Sequence, residues 1–418
     1  MKSVLRLPVV ALLAWAVTSC FSDATGPDMA PGLITELPRS LSQAELDLID
    51  ADNAFALKLF KEIDAQAVAD SNIFVSPLSV SVALGMTYNG AAGETQLAMA
   101  RALEFGDLSL GVVNQGYRDL IDLLFNLDSQ IEWRLGNSIW YREGFLVEPS
   151  FLDANRTFFD AQVEALNFGV PGAADVINQW VSERTNGRIE RIVADPISPD
   201  MVMFLINAIY FKGSWRNQFD RSLTRDAPFV LGDGTEVTTR MMSHKETVDV
   251  RLNGDDQVSV LELGYGGDAF TMTVVLPRAE VSLQSVIEAL ETERWESWIS
   301  GLNDAQRVVE MPRFSFEYEI RLNDVLASLG MEIAFVDGAA DFTKINSEGG
   351  LFISEVKHKT FVQVDEEGTE AAAVTQVGIS VTSAGPTRFV IDRPFLFAIR
   401  ERLSGTILFM GKMVDPTQ

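Results

Sequence analysis

Phe204-Leu205-Ile206-Asn207-Ala208-Ile209-Tyr210-Phe211 is a long apolar run interrupted only by Asn207. Such a run, rich in Ile and aromatic residues, suits a central strand buried on both faces. On its N-terminal side the chain reads mainly as helix. Phe55, Leu59 and Ile63 recur at spacing four, with Asp47, Asp50 and Asp52 toward the start of that segment. A second helix is expected from about Leu78 to Tyr88, with Ser76-Pro77 as cap and first-turn proline. A third begins near Thr95, and Asp175 to Thr185 again reads as helix, closed by Asn186-Gly187. On the C-terminal side strands dominate, as in Phe270 to Leu276 and Ile407 to Met410. Helices early and strands late predict an α+β domain and argue against a nucleotide-binding doubly wound sheet.

The chain has 418 residues, 47% of them hydrophobic, which is enough for a large core. Its net charge of −26 excludes nucleic acid as an expected partner, because phosphate binding needs clustered Lys and Arg. The N-terminus reads as a targeting segment. Lys2 and Arg6 precede the apolar run Leu7 to Val17, too short for a mature membrane span. The run closes on Val17-Thr18-Ser19-Cys20, similar to a bacterial lipoprotein signal in which the cysteine is lipidated. Residues 1–20 are therefore expected to be a signal and 21–42 a flexible tether. Residues 43–418 form the folded domain, anchored at the cell envelope through Cys20 or secreted if that cysteine stays unmodified. Cys20 is the only cysteine, so no disulfide is expected and stability must come from packing.

Few residues suit catalysis. The two histidines, His244 and His358, have no Gly-x-Ser-x-Gly elbow to serve. A His and Cys metal centre is excluded by number, no calcium loop is spaced for, and no phosphate-cradling glycine loop occurs. Gly264-Tyr265-Gly266-Gly267 reads as a turn. No cofactor or metal is expected. His358, flanked by Lys357 and Lys359, reads as a satisfied core histidine.

One segment has no place in an ordinary α+β chain. Thr360 to Val364 reads as a strand, and by pattern Glu366 to Ser383 is expected to carry it on without a turn, until Gly385-Pro386. At period 2, Thr369, Ala371, Ala373 and Thr375 share one face, small enough to enter a tightly packed sheet. The segment fits a loop able to become a strand. It also fits an Ala-rich linker or a short helix, since Thr-Glu-Ala-Ala-Ala favours helix.

Several motifs together resemble the serpins, over about residues 47 to 418. Asn72-Ile73-Phe74-Val75-Ser76-Pro77-Leu78-Ser79, Leu84-Gly85-Met86 and Gly90-Ala91-Ala92-Gly93-Glu94-Thr95 are similar to that family's early strand and second helix. Asn178-Gln179-Trp180-Val181 with Thr185-Asn186-Gly187, and Asn207 through Trp215, resemble later family segments. So do Met311-Pro312-Arg313-Phe314, Asp392-Arg393-Pro394-Phe395-Leu396-Phe397 and Gly405 through Gly411, all in family order.

The resemblance implies three β-sheets, about eight to nine helices and an exposed reactive loop at about 366–388. It implies a monomeric inhibitor of serine proteases. The loop is cleaved, the protease is held as an acyl-enzyme, and the loop inserts into the central sheet, a transition long attributed to this family. Carried onto this chain, Glu366, Gly368, Thr369, Ala371, Ala373 and Thr375 match the hinge. Counting from Glu366 places the scissile bond at Thr382-Ser383, with Ser383-Ala384 as the alternative. Small residues there suit an elastase-like or subtilisin-like protease. Ser76, Ser79, Asn207 and His358 match the family's shutter. Trp215, Arg313 and Glu366 match the cluster at the top of the sheet. A non-inhibitory binding or structural member is the competing expectation.

Overall fold

The first helix shows how local sequence starts the fold. Ser42 accepts the backbone N–H of Glu45, whose carboxylate returns to the Ser42 N–H, closing a capping box at the start of Gln43–Gln66. Its face of Leu48, Phe55, Leu59, Phe60 and Ile63 is buried. Pro77–Tyr88 starts on Ser76, with Pro77 in the first turn where its missing N–H is not needed. It is apolar all round and buried almost throughout, as a core helix should be. Leu110–Leu127 packs against the first helix, and one polar knot joins all three. Ser81 Oγ and Tyr117 Oη both donate to Asp52 Oδ1, at 2.8 and 3.0 Å, while Asp52 Oδ2 has no partner. Burial pushes the Asp52 carboxyl up to about 7.

The structure is a computed structural model that describes residues 32–369 and 387–418. Among these are nine α-helices and two hydrogen-bonded sheets, one of ten strands and one of six. The larger divides along one shared strand, Asn303–Pro312. Its Asn303–Arg307 half pairs with Val248–Gly254. Its Val308–Pro312 half pairs with Arg388–Val390 in parallel and with Glu236–Ser243 antiparallel. Three sheets result, in an α+β chain, as expected. Strands are not confined to the second half, because Ile131–Arg142 and Gln162–Leu166 precede the central strand.

The run that opened the reading lies within Met203–Ser214, paired along its whole length to Ile131–Arg142 on one side. One of its aromatic residues, Phe211, packs toward the larger sheet, while Phe204 packs on Phe168. Phe211 lies 5.4 Å from Tyr265, 6.0 Å from Phe270 and 6.3 Å from Phe409. The helix expected at 175–185 spans Ala173–Arg184, and Asn186 and Gly187 follow it with φ of 53° and 77°.

Candidate functional site

The six-stranded sheet runs Phe314–Arg321, Lys357–Val364, Gly368–Thr369, Met203–Ser214, Ile131–Arg142, Gln162–Leu166. Two described residues, Gly368 and Thr369, stand in the third position, between neighbours of eight and twelve residues. It pairs Thr369 with Gly213 on one side and with Val364 on the other. Below it, among the described residues, nothing pairs with that edge of Met203–Lys212. The edge opens on a cavity of about 550 Å3, lined by Met203, Leu205 and Asn207 on one side and Phe352, Val356 and His358 on the other. Apolar side chains such as Leu205 and Met203 are left half-buried there. A sheet that opens beside a long strand leaves unmade main-chain bonds and uncovered apolar surface, so an added strand would stabilise it.

The chain enters this gap by a turn, which corrects the expectation that the strand continues past Val364 without one. Asp365 N donates to Gly368 O at 3.0 Å. The Asp365 carboxylate accepts Glu367 N at 3.0 Å and Gly368 N at 3.3 Å. This is side-chain mimicry of a backbone turn. At Gly368 a Cβ would collide with Gly213 O and the Cα of Ser214, so only glycine admits the approach. Thr369 is already seated in the sheet, buried, with its hydroxyl 2.7 Å from Tyr265 Oη. Ala371, Ala373, Thr375, Thr382, Ser383 and Ala384 lie outside the described residues, as does Cys20.

Glu366 is held from above. It is buried and accepts Thr224 Oγ1 at 2.7 Å, while Arg313 stands farther off at 3.8 Å. Trp215 Nε1 donates to Asp365 O at 2.9 Å, and Trp215 N to Glu367 O at 2.8 Å. Phe219 N donates to Glu366 O at 2.9 Å, and Arg221 pairs with Glu367. The segment from Trp215 to Thr224 thus clamps the turn through both backbone and side chains. Sequence reading brought Trp215, Arg313 and Glu366 together but missed Thr224, Phe219, Arg221 and Asp365. Phe219 acts through its backbone N–H, which leaves no pattern in side-chain identity, and Thr224 and Arg221 are placed by a loop about 140 residues away in sequence.

The second cluster lies beneath the gap. His358 Nε2 accepts Ser76 N at 2.9 Å, Ser76 Oγ donates to Leu408 O at 2.7 Å, and Ser79 N donates to Ser76 Oγ at 3.2 Å. Ser79 Oγ donates to Asn207 Oδ1, and Asn207 Nδ2 donates to Asn137 Oδ1 at 2.6 Å. Asn137 Nδ2 donates in turn to Phe159 O at 2.7 Å. All four expected residues meet here, and Asn137 joins them. Its signal was visible: a lone amide inside the strand sequence Leu135-Gly136-Asn137-Ser138-Ile139, directly opposite Asn207.

This wiring bears on catalysis. Burial lowers the His358 imidazole to about 4, so it is neutral at physiological pH, and its acceptor nitrogen is taken by a backbone N–H. Ser76 Oγ is bonded to a carbonyl rather than to the histidine. That is the wiring of a structural network, not of an activated nucleophile.

A family model described as serpin (serine protease inhibitor) matches residues 50–416. Among curated relatives, Iripin-2 of Ixodes ricinus is 35% identical over 379 residues, covering 89% of this chain and 94% of its own. Among solved structures, the thermophilic serpin tengpin in the native state matches with a TM-score of 0.79 and 29% identity, over 93% of this chain and 97% of its own. Human thyroxine-binding globulin complexed with thyroxine matches with a TM-score of 0.81 and 29% identity, over 90% and 100%.

Proposed function

The chain belongs to the serpin family, and from that premise we propose that it inhibits serine proteases as a single-use substrate. A protease serine attacks the bait carbonyl, the new N-terminus leaves, and the freed segment enters the gap before the acyl-enzyme is hydrolysed. One observation carries this reading: the register already begun by Thr369. Extending the pairing of Thr369 with Gly213 and Val364 puts Ala371 opposite Phe211, Ala373 opposite Ile209, and Thr375 between Asn207 and His358. Since the Thr369 side chain points inward to Tyr265, the alternate residues Ala371, Ala373 and Thr375 would point inward in the inserted strand. Their size is what a packed interior accepts, and Thr375 brings a hydroxyl to the polar cluster.

At about 0.5–1.5 kcal/mol net per hydrogen bond, filling the edge from Lys212 to Met203 supplies on the order of 10 kcal/mol. That is enough to drive distortion of a trapped protease. The residues near the bait bond at Thr382-Ser383, or Ser383-Ala384, are small and uncharged. They suit the shallow pocket of an elastase-like or subtilisin-like protease. Incubating the purified chain with a panel of serine proteases should give a band at roughly the summed mass on a denaturing gel with a small-residue protease. Mass spectrometry should place the new C-terminus at Thr382 or Ser383. Cleavage by every member with no covalent band would sink the inhibitor reading and leave the non-inhibitory one, as a binding or structural member at the envelope.

Residues 1–20 as a lipoprotein-type signal, 21–42 as a tether and Cys20 as the lipid anchor are part of the same proposal. The support is the sequence of basic residues, apolar run and Val17-Thr18-Ser19-Cys20. Cys20→Ser should move the chain from the membrane pellet to the soluble fraction. Membrane retention equal to the unsubstituted chain would refute the anchor.

A further inference from the structure

Five arginines gather where the chain leaves and re-enters the described fold. Arg221 pairs with Glu367 and Arg313 with Glu366, just before Thr369. Arg388 lies just after Thr387 and shares Glu310 with Arg225. Arg240 bridges the two groups. It pairs with Asp226 at 3.1 Å, donates to Thr224 O at 3.3 Å, and accepts Arg313 N through its own carbonyl at 2.8 Å. The arginine side chains are 53–66% exposed, whereas Glu310, Glu366 and Glu367 are 5–6% exposed. The guanidinium groups therefore face outward over carboxylates that face inward. Among the described residues, the acidic Asp226 and Asp220 share this surface, and Leu223 is an exposed apolar residue within it. In a chain of net charge −26, such a concentration of outward cations is local.

We propose that this arginine collar is a docking surface for the acidic rim of the target protease, and it rests on the inhibitor reading above. Arginine is enriched at binding hot spots, and its planar fork pairs carboxylates in two bonds at once. The rest of the molecule repels an acidic partner. At 0.15 M salt that repulsion is screened beyond about 8 Å, while contacts at the collar are not. The collar thus confers preference among proteases that share one pocket specificity, and it acts on the encounter rather than on the trap.

The probes are subtilisin and the same enzyme succinylated, which turns surface lysines into carboxylates without changing its pocket. The variant is Arg240→Gln/Arg388→Gln in the full-length chain. Arg240 loses the exposed Asp226 and a long hydrogen bond to Thr224 O, and Glu310 keeps Arg225. With succinylated subtilisin at 0.15 M salt, the variant is expected to form covalent complex roughly fivefold more slowly than the unsubstituted chain, at equal stoichiometry. With unmodified subtilisin the two should match, and at 1 M salt, where screening sets in at about 3 Å, the difference should vanish. Binding of both proteases blocked at the active serine by a sulfonyl group reads the encounter alone. Covalent complexes that form at rates indifferent to the arginines and to succinylation overturn the collar and leave the inhibitor standing. No complex with either protease, but arginine-dependent capture of the blocked succinylated enzyme, upholds the collar and overturns trapping. Neither complex nor capture overturns both.

Discussion

Thr369→Arg is expected to convert the inhibitor into a substrate: the target protease cleaves the variant and is released, and the stoichiometry of inhibition rises at least tenfold. Thr369 is buried against Tyr265, between Gly213 and Val364, at the top of the gap. A guanidinium there has no carboxylate to meet, and burying an unpaired charge costs several kcal/mol. Thr369 stands at the entrance to the gap, paired to Gly213 and Val364, so the variant is expected to relieve the clash by leaving the sheet and to fold otherwise normally. Every later step of insertion must nevertheless pass that position. Since trapping is a race between insertion and hydrolysis of the acyl-enzyme, even a few kcal/mol on the insertion barrier shifts the outcome by orders of magnitude. The checks are a denaturing gel across inhibitor-to-protease ratios and a thermal melt showing a folded chain. Unchanged stoichiometry in a folded variant would mean that Thr369 does not mark the start of the inserted register.

Acid should destabilise the fold through its histidines, while Asp52 opposes them. His358 and His244 both sit at about 4 in the folded chain because burial disfavours their charged forms. His244 stacks 4.0 Å from Phe219, and its Nδ1 is buried without a partner. A histidine lowered in the folded state contributes stability that is fully present above its ordinary 6.5 and is lost as pH falls toward 4. The loss is on the order of 3 kcal/mol for each. Asp52, raised to about 7, acts with the opposite sign. It penalises the fold at pH 7 and above, and returns on the order of 4 kcal/mol as pH falls from 7 toward 4. His358→Gln keeps an acceptor for Ser76 N without a titrating group, and should flatten the acid limb of urea-unfolding stability by about 3 kcal/mol. Asp52→Asn should stabilise by about 2 kcal/mol at pH 8 and destabilise by about 2 kcal/mol at pH 4, because the new amide N–H finds no acceptor at either pH. An acid limb identical in His358→Gln and the unsubstituted chain would show that this histidine does not titrate where its burial implies.

The helices and strands were legible because their signals are local. Ser76-Pro77 starts a helix wherever it stands, and Ser42 with Glu45 closes a capping box without outside help. The polar cluster was legible through the family resemblance for Ser76, Ser79, Asn207 and His358. Asn137, which completes it, is placed by cross-strand register rather than by a motif of its own. The clamp on Glu366 was less legible. Thr224 supplies its nearest hydrogen bond, and Phe219 and Trp215 act through backbone N–H groups, which every residue but proline carries.

The sequence by itself determined the family, the α+β class and the small, uncharged face of Thr369, Ala371, Ala373 and Thr375. Those properties reside in residue identity and order. Only the tertiary structure decided that the chain turns back at Asp365, that Thr369 is already in the sheet, and that among the described residues no strand pairs with the edge from Lys212 to Met203. The turn depends on how closely Gly368 approaches Gly213, and that edge on two strands distant in sequence held parallel, with Gly368 and Thr369 the described residues paired between them. Spacing between strands is set by packing across the whole domain, and no local run of residues encodes it.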